Sequence, residues 1–376
     1  MRMKKLLLSI LLFNSLFGDE YDFDMQAIEQ EPYEYSGYLR FEDKAQHLNA
    51  AEDEYQNLIH LEGLLNFSYS YETLKFQSSL MATNNYINNV ISENNFLAND
   101  FYLEAAFNEN HTLLMGKESL MWGKGYFFNP VAFFDRPKDP SDPTQAREGF
   151  IIAKYNYNKS FDLELKNLSF DLVYLPSTEK INKDYYKLIT QNKNANNIAL
   201  RLYMLLYDTD IDILYNYSDI ASNKIGLDFS KNIQTNFEIH AEYANILDAG
   251  ESYLLGLRYL TDFELTIISE YLYNSEGLTK EEIQNSTLKI PFIAKEYAIT
   301  LITQKEPFNF LYLSLYYKNM FNLQDHSMQN KTGASYLFKN NINADLSYNI
   351  NSGGSLSEFG KKSVEDFLWL RLTWNF

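Results

Sequence analysis

The sequence contains no cysteine, which removes both a disulfide framework and a lipid-modified N-terminal cysteine from consideration. A chain of 376 residues must then hold itself together by other means. Histidine is scarce too. His47, His60, His111, His240 and His326 are the full set, and none stands at metal-ligand spacing. Neither a Gly-x-Ser-x-Gly elbow nor a phosphate-binding Gly-rich loop occurs, so the chain is read as a non-enzyme without a cofactor. A basic excess is missing as well. The net charge is −18, which argues against nucleic acid as a partner. Past residue 18 no apolar run reaches the roughly 20 residues of a membrane-spanning helix, and the mean hydropathy is −0.36. Glycine (15) and proline (8) are sparse, and half of the prolines fall in one segment.

The N-terminus has the layout of a secretory signal peptide. Met1-Arg-Met-Lys-Lys5 is basic, Leu6 to Phe17 is mostly apolar, Gly18 closes the run and Asp19-Glu20 follows. The expected organisation is a removed leader at 1–18, a periplasmic lead-in at 19–32 and one folded domain at 33–376. The run is too short for a transmembrane anchor, the other reading of such a segment.

The remaining chain is aromatic-rich, with 30 Tyr and 27 Phe, and its hydrophobicity is spread in short alternating pieces. Ile211, Ile213, Tyr215 and Tyr217 alternate with Asp210, Asp212, Asn216 and Ser218, and only Leu214 breaks the polar set. Phe237, Ile239, Ala241 and Tyr243 alternate with Asn236, Glu238, His240 and Glu242. Leu368, Leu370, Leu372, Trp374 and Phe376 alternate with Trp369, Arg371, Thr373 and Asn375. A period of two is the mark of strands, and helices need 3.6. About eighteen strands are predicted between 33–42 and 366–376, with early members at 56–70, 73–83 and 99–108. The connections run alternately short and long. Long ones are predicted at 43–55, 84–98, 122–148, 176–195, 245–250, 274–291, 320–331 and 351–365, and Ile220-Ala221 breaks the rule by being short. The fold class that follows is all-β: a transmembrane antiparallel up-and-down barrel with a long inserted external loop. Closure leaves no strand edge and pairs every backbone group internally.

Segment 122–148 stands apart. It carries Pro130, Pro137, Pro140 and Pro143, which rule out a ladder strand, and it balances Lys124, Arg136, Lys138 and Arg147 against Asp135, Asp139, Asp142 and Glu148. Phe127, Phe128, Phe133 and Phe134 need a surface to pack on, and the lumen wall is the nearest. Trp122-Gly-Lys-Gly125, Asn129-Pro130, Arg136-Pro-Lys-Asp-Pro140 and Ala146-Arg-Glu-Gly149 resemble a motif of Gram-negative porin-like outer-membrane proteins, with a distant likeness to polysaccharide-export barrels. The C-terminal strand ending in Trp-Asn-Phe376 resembles the segment that the barrel assembly machinery reads in such proteins. The resemblance implies an outer-membrane location, contact with outer-membrane lipid and, as in many porins, a homotrimer. It also implies a third external loop that folds inward.

The functional expectation is a passive channel for small hydrophilic solutes, narrowed by 122–148. Lys124, Arg136, Lys138 and Arg147 from the loop, with Arg40, Arg201, Arg258 and Arg371 from the wall, are the candidate solute contacts. Trp122, Asn129, Phe133 and Phe134 are the candidate loop anchors. Glu62, Glu104, Glu238, Glu242, Glu264, Glu270 and Asp212 are expected on the same inward faces. Charge must face inward whatever the function, because Arg or Lys facing lipid at mid-depth costs roughly 2–4 kcal/mol. The wall charges therefore serve either as a transverse field or as a stiffening salt-bridge lattice. His240, between Glu238 and Glu242, is read as a hydrogen-bonded wall residue in preference to a metal ligand, and no metal is expected. The alternative function is a transporter or exporter of a lipid or polysaccharide acting with a periplasmic partner.

Overall fold

A computed structural model describes residues 31–49, 54–88, 90–185, 194–287 and 292–376. The expected leader at 1–18 and nearly all of the lead-in at 19–32 lie outside the described residues. The described chain forms eighteen antiparallel strands: β1 (Tyr33–Leu48), β2 (Glu54–Tyr71), β3 (Leu74–Ile87), β4 (Val90–Asn108), β5 (His111–Glu118), β6 (Phe150–Ser160), β7 (Leu165–Ser177), β8 (Ala195–Leu206) and β9 (Thr209–Ser218), then β10 (Lys224–Gln234), β11 (Phe237–Ile246), β12 (Gly250–Leu260), β13 (Leu265–Asn274), β14 (Glu296–Lys305), β15 (Leu313–Asn322), β16 (Met328–Leu337), β17 (Ile342–Ser352) and β18 (Val364–Asn375). A short helix, α1 (Lys280–Asn285), sits between β13 and β14 and is closed by a Thr279–Glu282 capping box.

Each strand pairs with its sequence neighbours, and β1 pairs with both β2 and β18, so the sheet closes on itself. The seam runs from Tyr38 opposite Asn375 to Leu48 opposite Val364. It is finished by the last residue: the Phe376 N–H donates to the Gly37 carbonyl and the Gly37 N–H to the Phe376 carbonyl, both at 3.0 Å.

Burial is inverted relative to a water-soluble sheet. Along β9, Ile213, Tyr215 and Tyr217 are exposed while Asp212, Leu214, Asn216 and Ser218 are buried. Along β11, His240, Glu242 and Ala244 are buried and Tyr243 is exposed. Alternation therefore places apolar residues on the outside and polar ones within, as a bilayer-immersed barrel requires. No helix among the described residues is long and apolar enough to cross a membrane.

Several expectations need correction, among them the long connections at 245–250 and 320–331, which shrink to residues 247–249 and 323–327. The segments 43–55 and 84–98, predicted as loops, are largely ladder: β1 and β2 stay paired to Leu48–Glu54, and β3 and β4 to Ile87–Val90. Backbone pairing does not depend on side-chain hydropathy, so an Asn-rich stretch continues a hairpin without an apolar face. In the opposite sense, a strand expected from 308 begins only at Leu313, because residues 306–312 form an extended turn around Pro307. Finally, Glu264 lies exposed in the β12–β13 turn with φ 62°, not on the lumen wall.

Candidate functional site: a loop lashed across the lumen

Residues 119–149 join β5 to β6 and run inside the barrel. Their root is tied by Asp135, which accepts from the backbone N–H groups of Met121 (2.9 Å) and Trp122 (3.0 Å). Ser119 N–H donates to Asp100 at 2.9 Å, and Gly149 N–H to the Asn99 carbonyl at 2.9 Å. Arg136 donates through Nε to the Glu148 carbonyl at 3.0 Å and pairs with the Glu148 carboxylate at 2.9 Å and with Asp184. Arg147 donates to the Arg136 carbonyl at 3.0 Å.

From that root the chain crosses to the far wall. Glu242 on β11 and Glu270 on β13, 1% and 2% exposed, accept successive backbone N–H groups of the loop. Lys124 and Gly125 donate to Glu242 at 2.6 Å each and Val131 at 3.2 Å. Phe127 donates to Glu270 at 3.0 Å, and Tyr126 N–H does so as well. Charge-assisted bonds of this kind are the stronger class. Gly123 permits the approach: its φ is 100°, and a Cβ there would stand 2.8 Å from Glu242 Oε1. Lys124 Nζ then reaches Asp212 at 2.9 Å and Asp228 at 3.8 Å. Lys138 donates to the Gly125 carbonyl, folding the loop back on itself.

The tip reaches a third sector. Lys318 on β15 donates to the carbonyls of Pro140 (2.9 Å) and Ser141 (2.7 Å). Arg371 on β18 holds Glu42 at 2.8 Å and also Asp142 of the loop. In a ring of eighteen strands, β14 is diametrically opposite β5, where the loop begins. Contacts on β11, β13, β15 and β18 therefore mean that the loop traverses the interior.

Two apolar clusters complete the attachment. Trp122, Val131, Phe133 and Phe134 pack on Leu114, Phe150, Ile152, Val173, Leu175, Ala199, Leu214 and Ala244. This explains Leu214, the residue that broke the polar row of its strand. Phe127 packs with Ile283 of α1, Tyr297, Ile299, Met320 and Phe359. Beside it Glu358, in the β17–β18 loop, accepts from Phe292 N–H (2.8 Å), Tyr297 Oη (2.6 Å) and Asn322 Nδ2 (2.7 Å). Burial pushes the Glu358 carboxyl above the ordinary carboxylate range, against the pull of these donors and of Lys362.

The structure thus gathers most of the candidate residues around one loop. Trp122, Phe133 and Phe134 are buried in the first of the two apolar clusters. Asn129 contributes its carbonyl, which accepts from Ala132 N–H at 3.1 Å, while its side-chain Nδ2 is buried without a partner. Arg201 pairs with Asp212 at 2.8 Å and Asp171 at 3.4 Å, and Arg40 with Glu62 at 3.1 Å. Arg371 stands opposite Glu42 and Arg40 opposite Thr373, one step apart along the seam. Arg258, opposite Glu238, is exposed within the lumen. The carboxylate clamps of Glu242 and Glu270 had been placed inward by alternation, but their role as acceptors for loop backbone had no counterpart in the sequence pattern. His240 lies 3.0 Å from Glu270 and 3.5 Å from Glu238, its ring seated against Gly256. Among the described residues no group of His, Asp and Glu is arranged to hold a metal ion.

A closed, inside-out antiparallel barrel with a loop across its lumen defines a membrane β-barrel fold. Solved structures share this fold. The chain is similar to Acinetobacter baumannii OccAB3 (TM-score 0.56, 10% identity, covering 92% of this chain and 99% of that one). It is also similar to Pseudomonas aeruginosa OprD (TM-score 0.55, 8% identity, 92% and 95% covered). A triple mutant of the Rhodopseudomonas blastica porin aligns with TM-score 0.47 at 11% identity, with 92% and 100% covered. At these identities the likeness is one of fold. No protein-family model matches the chain, and no curated protein matches it significantly.

Proposed function

We propose that the protein is an outer-membrane channel of a Gram-negative bacterium for passive diffusion of small hydrophilic solutes, with residues 122–148 as its constriction. One observation supports the reading: a long loop is lashed across the interior by buried wall carboxylates and cations. Charge on the wall is uneven, although each sector holds both signs. Lys318, Lys331, Arg371, Lys44 and Arg40 lie on β15, β16, β18 and β1, with Glu42, Glu62 and Asp345 among them. Asp171, Asp212, Asp228, Glu238, Glu242 and Glu270 lie on β7 to β13, with Arg201 and Arg258 among them. Such a division sets a transverse field across the constriction, which orients polar solutes and selects among ions. The loop cations Lys124, Arg136, Lys138 and Arg147 are mostly engaged in holding the loop, so solutes would meet them at their remaining open faces. Export through a leader at 1–18, assembly through the strand ending at Phe376 and a homotrimeric state accompany the proposal.

The test is single-channel conductance of the purified protein in planar bilayers. Deleting 127–145 should raise the conductance. An unchanged value would remove the constriction from the account, and no ion current at all would remove the channel.

A further inference from the structure

At the end of the barrel that carries the short turns, seven of the eight connections have two to four residues, and the eighth runs through seven, Glu306 to Tyr312. That turn is backbone-strained. Glu306, Phe308, Asn309 and Tyr312 all take left-handed φ values, 47°, 57°, 60° and 66°, a region that residues bearing a Cβ rarely occupy. It is also greasy. Phe308 is 98% exposed, and Phe310, Leu311 and Tyr312 are each more than half exposed. Strain held in place to present bare rings calls for something to cover them.

The direction of the turn says what covers it. The Phe310 ring lies 6.0 Å from Tyr336, and Tyr336 lies 4.7 Å from Phe338 of the next turn. On β16, Lys331 faces the lumen, stacked over the lumen-side Trp369 at 4.1 Å, so Tyr336 belongs to the opposite, outward row. The turn's ring therefore packs on the outer wall and extends its apolar surface past the last ladder pair, Leu313–Tyr336. Lys305, the last residue of β14, and Lys339, in the β16–β17 turn, are exposed on either side.

We infer that the β14–β15 turn is a membrane-interface anchor: Phe308, Phe310 and Leu311 enter the headgroup–acyl boundary of the adjoining leaflet, and Lys305 and Lys339 meet lipid phosphates. Rings at the boundary and lysines reaching back to the headgroups are the chemistry that recognises a bilayer surface. The inference rests on the reading of the chain as a membrane barrel, and the experiment separates the two. Because the chain has no cysteine, Phe308→Cys, Leu315→Cys on the outer wall and Asp208→Cys in the β8–β9 turn each carry a single spin label in the full protein. The label's collision rates with oxygen and with a water-soluble nickel chelate are compared in phosphatidylglycerol-containing bilayers. Labels at 315 and 308 should both favour oxygen several-fold, and the label at 208 should favour the chelate. A label at 308 that follows 208, with 315 in lipid, overturns the anchor and leaves the turn as a docking face for a protein. A label at 315 in water overturns the membrane barrel itself. In a second measurement, Lys305→Gln with Lys339→Gln should about halve the phosphatidylglycerol retained on purification. Undiminished retention overturns the ionic half of the inference.

Discussion

At the scale of single residues, buried carboxylates do two jobs that composition alone does not separate. Glu242 satisfies three backbone N–H groups of the loop, which otherwise would be sealed in the lumen without partners. Replacing it with Gln turns one acceptor oxygen into a donor facing donors. Hydrogen bonds to a charged group contribute about 1.5–3 kcal/mol each, so the loop should lose about 3 kcal/mol of anchoring while the barrel itself persists. Open-channel current noise and protease cleavage within 122–148 should both rise in Glu242→Gln. Wild-type behaviour in both would show that the clamp is dispensable. Arg371 presents the complementary case. It sits between Glu42 and Asp142, and its side chain is 16% exposed. Arg371→Ala leaves two confined carboxylates facing each other, and the cost should be about 2–4 kcal/mol, somewhat reduced by solvent access. Adding Asp142→Ala should recover part of that loss. A double-mutant cycle with coupling below about 0.5 kcal/mol would mean that the pair is incidental.

At the scale of elements, alternation located the strands and failed where another constraint took over. Leu214 looked like an error in a polar row, yet it belongs to the buried apolar cluster that receives Trp122, Val131, Phe133 and Phe134. Residues 84–98 looked like a loop because Asn84, Asn85, Asn88, Asn94 and Asn95 carry no apolar face, but a protruding hairpin needs none. The segment 308–312 looked like strand because it is aromatic, while Pro307 and four left-handed residues make it a turn. For segment 122–148, prolines excluded a strand and four Phe demanded a surface, so an inward loop was legible. Which surface was not, because the partners of Phe127 come from α1, β14, β15 and the β17–β18 loop, which no local spacing connects. The Phe127 cluster carries a prediction at this scale. Phe127→Ala removes a fully buried ring, a change that typically costs 3–5 kcal/mol, and it should free the middle of the loop from the α1 side. Conductance should become larger and more variable between openings. A single unaltered conductance level would assign the holding force to the carboxylates alone.

At the scale of the whole molecule, the barrel turns a hydrophobicity pattern inside out, and this made the closed sheet readable from the ends. Tyr33 begins the first strand, Phe376 finishes the last, and hydrogen bonds between Gly37 and Phe376 seal the ring. What remained hidden was the balance of charge in the lumen, since the decisive pairs run to the loop or across the seam, as Lys124 with Asp212 and Arg371 with Glu42 and Asp142. Those pairs balance charge locally, whereas the chain as a whole keeps a net charge of −18. On the wall, acid outnumbers base from β7 to β13, where Asp171, Asp212, Asp228, Glu238, Glu242 and Glu270 face Arg201 and Arg258. A channel of this kind should select cations weakly at high salt and more strongly as salt falls. The screening length grows from about 3 Å at 1 M to about 10 Å at 0.1 M, so these charges come to act across the opening only in dilute solution. The reversal potential under a fixed tenfold salt gradient should therefore move further toward cation preference when the mean concentration is lowered. Arg258→Gln, which removes an exposed lumen cation opposite Glu238, should add to that preference at every concentration. Anion preference, or a reversal potential indifferent to ionic strength, would mean that permeating ions sense the basic β15–β1 wall and little else.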